Sequence, residues 1–131
     1  MKKSLLICAM TALAFSSGAS AARETVAQKG EARLAKMLEG RVAGEPRSCI
    51  PVMLSDRLQV IDQTAVVYDA GKTIYVARPQ NPKSLDSDDI LVIKRFGSEL
   101  CKQDVIHTID RTMGFMTGVI FLDDFVPYTK P

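Results

Sequence analysis

Apolar residues fall into three textures along the chain, and each predicts a different element. Leu5 to Phe15 is an almost unbroken apolar run behind Lys2 and Lys3, closed by the small residues Ala19-Ser20-Ala21. That layout is a secretory signal peptide, with cleavage expected before Ala22. The run is shorter than the roughly 20 apolar residues that a membrane-spanning helix needs. From Arg23 to Glu39 the period becomes helical: Ala27, Leu34, Met37 and Leu38 share one side, and Lys29, Arg33 and Lys36 the other. Gly30 weakens this helix and Glu31 intrudes near its apolar side, so its first turns are expected to fray. Gly40, Gly44 and Pro46 end it.

From Arg47 onward the third texture is short β-branched runs between Gly, Pro and Asp. Ser48 to Met53 predicts a first strand, at an edge or bulged because of Pro51. Leu58 and Val60 alternate with polar neighbours. Thr64–Tyr68 and Thr73–Ala77 flank Asp69-Ala70-Gly71-Lys72, the clearest hairpin signal in the chain. Arg78 to Asp89 reads as a polar loop, and Ile90 to Ile93 as a buried strand. Gly97 to Asp104 reads as a polar turn. Val105 to Asp110 alternates again, and Phe115 to Phe125 predicts one longer strand with a bulge at Gly118, stopped by Pro127. The expected fold is mainly β, a small antiparallel barrel or sandwich of about six strands with one N-terminal α-helix. The expected divisions are a signal peptide at 1–21, a helix and linker at 22–46, and a β-rich domain at 47–131.

Charge narrows the partners. The precursor of 131 residues carries 17 basic and 15 acidic side chains, but Lys2 and Lys3 belong to the signal. The remaining 110 residues are electrically balanced, so the sequence gives no electrostatic footprint for nucleic acid. No later stretch is long and apolar enough for a membrane anchor, so no transmembrane segment is expected after signal cleavage. Cys8 leaves with the signal, and it follows the bulky Ile7, which argues against lipid attachment there.

Cys49 and Cys101 remain as a pair, and export to an oxidising compartment predicts a disulfide between them. Redox pairs usually sit close together as Cys-x-x-Cys, so wide spacing favours a structural bond. Asp86, Asp88 and Asp89 form an acidic loop, a weak candidate for calcium because the alternating Asp, central Gly and terminal Glu of a calcium loop are missing. His107 is the single histidine and is expected as a half-buried, hydrogen-bonded imidazole. No nucleophile elbow and no phosphate-cradling glycine loop is present. Catalytic residues are therefore expected to be none, and cofactors none.

Ser48-Cys49-Ile50, Ile61-Asp62-Gln63-Thr64-Ala65-Val66, Thr73-Ile74-Tyr75-Val76, Phe96-Gly97-Ser98-Glu99-Leu100-Cys101 and Asp124-Phe125-Val126-Pro127-Tyr128 carry a resemblance. Across residues 47–128 the chain resembles a group of uncharacterised exported proteins of Gram-negative bacteria, a domain-of-unknown-function family with a Cys pair and a β-rich domain. The resemblance implies the architecture loosely and no activity.

The expected function is a periplasmic or secreted, non-enzymatic binding or envelope-accessory module with a protein partner in the cell envelope. Arg78, Asn81, Lys83 and Asp86 are the candidate contacts, because loops carry binding residues more often than framework does. Two alternatives are weighed. One is an inhibitor of a secreted hydrolase that uses Gly97 to Asp104 as a wedge, with Glu99 and Lys102 in contact. The other is a metal-assisted enzyme built on Asp86, Asp88, Asp89 and His107. Intact-mass analysis of the exported protein should give a chain beginning at Ala22 with no lipid attached; an acylated Cys8 at the mature N-terminus would overturn the reading against lipid attachment.

Overall fold

Why the middle of the chain folds as it does is clearest at Ala65-Val66-Val67-Tyr68, four consecutive buried residues. A strand turns successive side chains to opposite faces, so four in a row must be covered on both sides. The computed structural model describes residues 23–54 and 57–131; the predicted signal segment lies outside the described residues. It contains one helix, α1 (Val26–Met37), and ten strands: β1 (Val42–Ala43), β2 (Cys49–Pro51), β3 (Leu58–Ile61), β4 (Ala65–Asp69), β5 (Thr73–Pro79), β6 (Asp89–Ile93), β7 (Glu99–Cys101), β8 (Ile106–Asp110), β9 (Met116–Ile120) and β10 (Leu122–Thr129). All pairing is antiparallel, in a five-stranded sheet β1-β10-β5-β4-β3, a two-stranded sheet β2-β7 and a three-stranded sheet β6-β8-β9. The fold is thus mainly β with one N-terminal helix, as expected. It is not a closed barrel, and it uses more and shorter strands than expected.

The five-stranded sheet is the middle layer. Ala65, Val67, Ile74 and Val76 turn to one face, where Leu34 of α1 and Ile61 complete a buried cluster. Val66, Tyr68, Ala77 and Phe125 turn to the other, against Ile50, Leu100, Ile106 and Ile120 of the two smaller sheets. The β4–β5 turn is the hairpin that the sequence predicts. Gly71 takes φ 87°, and its N–H donates to Asp69 Oδ1 at 2.8 Å. Tyr68 is buried, and its hydroxyl accepts from the Met53 N–H at 3.2 Å, which holds the segment leaving β2.

α1 is capped at its first turn. Thr25 and Gln28 form a reciprocal capping box, at 2.8 and 3.2 Å. Gly30 is not a weak point but the place of closest approach. It is buried against the β3–β4 turn, and an added Cβ would overlap Thr64 Oγ1 and lie 2.8 Å from the Asp62 carbonyl. Glu31, which the helical wheel sets near the apolar side, pairs with Arg78 of β5.

Three other expectations change. Ile90 to Ile93 is not buried on both faces: Ile90 and Val92 face outward at 42% and 36% exposure, and only Leu91 and Ile93 pack on the core. Phe115 to Phe125 is not one strand, because the chain leaves the three-stranded sheet after Ile120 and enters the five-stranded one at Leu122. The bulge near Gly118 is present, where Thr108 pairs with Gly118 but Ile109 with Met116. Pro127 lies inside β10 rather than ending it. Its carbonyl accepts from Gly44 N at 2.7 Å on the side of the very short β1, where no ladder needs the missing N–H.

Cys49 and Cys101 stand directly opposite each other in the β2–β7 pair and are joined. Strands of three residues hold little on their own. The bond fixes Ile50 and Leu100, both fully buried, over the middle sheet.

Two outcomes are expected. Gly30→Ala, which improves helix propensity by about 1 kcal/mol, should instead destabilise by about 1–3 kcal/mol in urea titration through overpacking; a rise in stability would overturn the close-contact account. Removing both thiols with Cys49→Ser and Cys101→Ser should cost about 4 kcal/mol for a closed loop of 52 residues, read as a fall in the denaturation midpoint.

Candidate functional site

The two β layers do not meet along one side. β3 ends the five-stranded sheet with β4 as its one partner, and β6 ends the three-stranded sheet with β8 as its one partner, among the described residues. Register sets which side chains face the gap. Leu58 and Val60 lie opposite Tyr68 and Val66, so they turn toward the inter-layer core. Leu91 and Ile93 lie opposite Thr108 and Ile106, so they turn inward from the other layer. Between them is a cleft of about 760 Å³, floored by the buried Val52 and Leu100. That volume is within the roughly 300–1,000 Å³ of ligand pockets. Both walls are strand edges, whose unpaired N–H and C=O groups are a template for another chain.

The rim is basic. Arg33 reaches it from α1, Arg95 from the segment after β6, and Arg111 from the turn after β8, with Asp89 the one carboxylate beside them among the described residues. Two ion pairs form among the described residues, Arg78–Glu31 and Lys102–Asp124, and neither involves a rim arginine. Each rim arginine donates to a neutral acceptor instead: Arg33 to Gln59 Oε1 at 3.4 Å, Arg95 to the Val52 carbonyl at 2.8 Å, and Arg111 to the Asp88 carbonyl at 3.3 Å. Asp89 accepts from the Thr117 hydroxyl at 2.8 Å. The cleft therefore combines an apolar floor, two hydrogen-bonding walls and an excess of positive charge. It has the makings of a binding site, and no nucleophile–base hydrogen bond is present among its described lining residues.

The loop residues singled out by the sequence lie elsewhere. Arg78 belongs to β5 and ties α1 to the sheet through Glu31. Asn81 precedes a short 3-10 turn, Pro82–Ser84, and its carbonyl accepts from Ser84. Lys83 and Asp86 are exposed, and the Asp86 carboxylate accepts from Asp88 N at 2.8 Å. The loop is pinned rather than free: Leu85 is fully buried, Gln63 N donates to its carbonyl at 2.9 Å, and Ser87 N donates to Asp62 Oδ1 at 2.5 Å.

Asp86, Asp88, Asp89 and His107 are not gathered as metal ligands. The one group of three such donors within 4.8 Å, among the described residues, is Cys49, Glu99 and Cys101, and its two sulfurs are joined to each other. His107 is half-buried, with its Nδ1 enclosed and lacking the expected hydrogen bond. Gly97 to Asp104 contains β7 and a tight turn in which Cys101 N donates to Asp104 Oδ2 at 2.8 Å. Lys102 there is paired with Asp124, and Glu99 is exposed.

Arg95 and Arg111 escape sequence reading because no local pattern brings them together. Their convergence follows from strand order. Arg33 is visible in the sequence as part of a basic stripe. No family model, no curated protein and no solved structure matches the chain.

Proposed function

We propose that this chain is an exported, non-enzymatic binding module of the cell envelope, periplasmic or secreted, that works by engaging a protein partner. The observation that carries the reading is the open seam between β3 and β6, where a sandwich leaves two edges and an apolar floor uncovered. Protein partners use such edges by main-chain pairing, with side-chain pockets setting selectivity. Export is supported by the signal-like N-terminus and by the disulfide, a bond typical of oxidising compartments. No helix among the described residues is long and apolar enough to cross a membrane. The resemblance to uncharacterised exported proteins points to the same compartment and adds no activity.

The seam, rather than the Arg78–Asp89 loop, is the better contact surface. Arg78, Leu85 and Ser87 tie the loop to α1 and the β3–β4 turn, whereas the outer edges of β3 and β6 have no strand partner among the described residues. A photo-reactive amino acid placed at Gln59 or Leu91 in living cells should give one discrete protein adduct, and the same group at Asn81 should give none. Adducts at Asn81 alone would move the contact to the loop, and none at any position would overturn the binding-module reading.

A further inference from the structure

We infer that the seam takes an extended, acidic polypeptide segment of the partner, added as a strand along the free edge of β3 or β6. This rests on the binding-module reading and deepens it. The extended conformation follows from the walls. β3 and β6 are four and five residues long, or about 13–17 Å, and the evenly spaced backbone groups of an open edge are matched in register by another strand. A strand laid there would point every second side chain at the floor made by Val52, Leu58, Val60, Leu91 and Leu100. Alternating apolar residues fit that floor.

The acidic character follows from the rim. Arg33, Arg95 and Arg111 come from three separate elements and have no carboxylate partner among the described residues, while Asp89 is engaged by Thr117. The outward-pointing residues of the added strand would meet those guanidinium groups, which favour carboxylates in a bidentate geometry. A nucleic acid or sulfated glycan supplies the charge but neither the ladder of amide hydrogen bonds nor the apolar side chains.

The test is fluorescence anisotropy of the mature protein with labelled peptides of alternating Val and Glu, alternating Val and Lys, and the Val–Glu peptide N-methylated at every residue, which blocks both of its edges. The Val–Glu peptide should bind at least about tenfold more tightly than the Lys peptide, and N-methylation should abolish binding. Arg33→Glu with Arg111→Glu, both exposed positions, should reverse the preference while the melting curve is retained. Equal binding of the Lys peptide, or indifference to N-methylation, would overturn the inference. Displacement by heparin of a peptide that tolerates N-methylation would assign a general polyanion site instead. A concentration-dependent dimer that blocks the Val–Glu peptide would assign the seam to a second copy. If no peptide binds while photo-cross-linking at Gln59 still captures a protein, the acidic-strand inference falls and the binding-module reading stands; loss of both removes both.

Discussion

The two-sided burial of the β4–β5 hairpin is the constraint on which the rest of the structure depends. Ala65, Val67, Ile74 and Val76 need a cover on one face, and Val66, Tyr68 and Ala77 on the other. One amphipathic helix is enough for the first face, because Gly30 lets its backbone settle against the β3–β4 turn. The second face is wider and is covered in two pieces. One is the disulfide-linked β2–β7 pair, and the other is the three-stranded sheet, reached through the sheet switch between Ile120 and Leu122. The two-stranded piece is too short to stand alone and is held in place by its packing on the middle sheet.

Covering a sheet in pieces leaves a boundary, and the seam is that boundary. The inward residues of β3 and β6 are half-buried rather than buried, which marks where the core stops short of closing. Arg95 reinforces the floor by donating to the carbonyls of Val52 and Ser98, so one rim residue also holds the neighbouring wall. The cleft is therefore built on rigid framework: strand edges, a disulfide-linked pair and a capped helix.

Local chemistry made some of this legible in the sequence. The Asp69–Lys72 turn, the helix with its glycine stop, and the Cys49–Cys101 pair each rest on residues whose preferences act over a few positions or on a pairing with no rival. What stayed hidden depends on neighbours far along the chain. Ile90 to Ile93 reads as a strand covered on both faces, yet among the described residues no layer lies outside the three-stranded sheet, so Ile90 and Val92 face outward. Gly30 carries only a propensity cost until Thr64 is placed beneath it. Phe115 to Phe125 has no turn signal at Phe121, so the switch of sheets is invisible to any local rule. The cleft was hidden for the same reason: an edge is a property of strand order, and neither β3 nor β6 carries a mark of being last.

An uncovered edge is also a hazard, since identical chains can pair through it and grow into larger sheets. Here the rim arginines give the seam a guard of its own. Two copies brought seam to seam would set Arg33, Arg95 and Arg111 of each against those of the other, and like charges brought together repel. Self-avoidance and selectivity thus come from the same side chains.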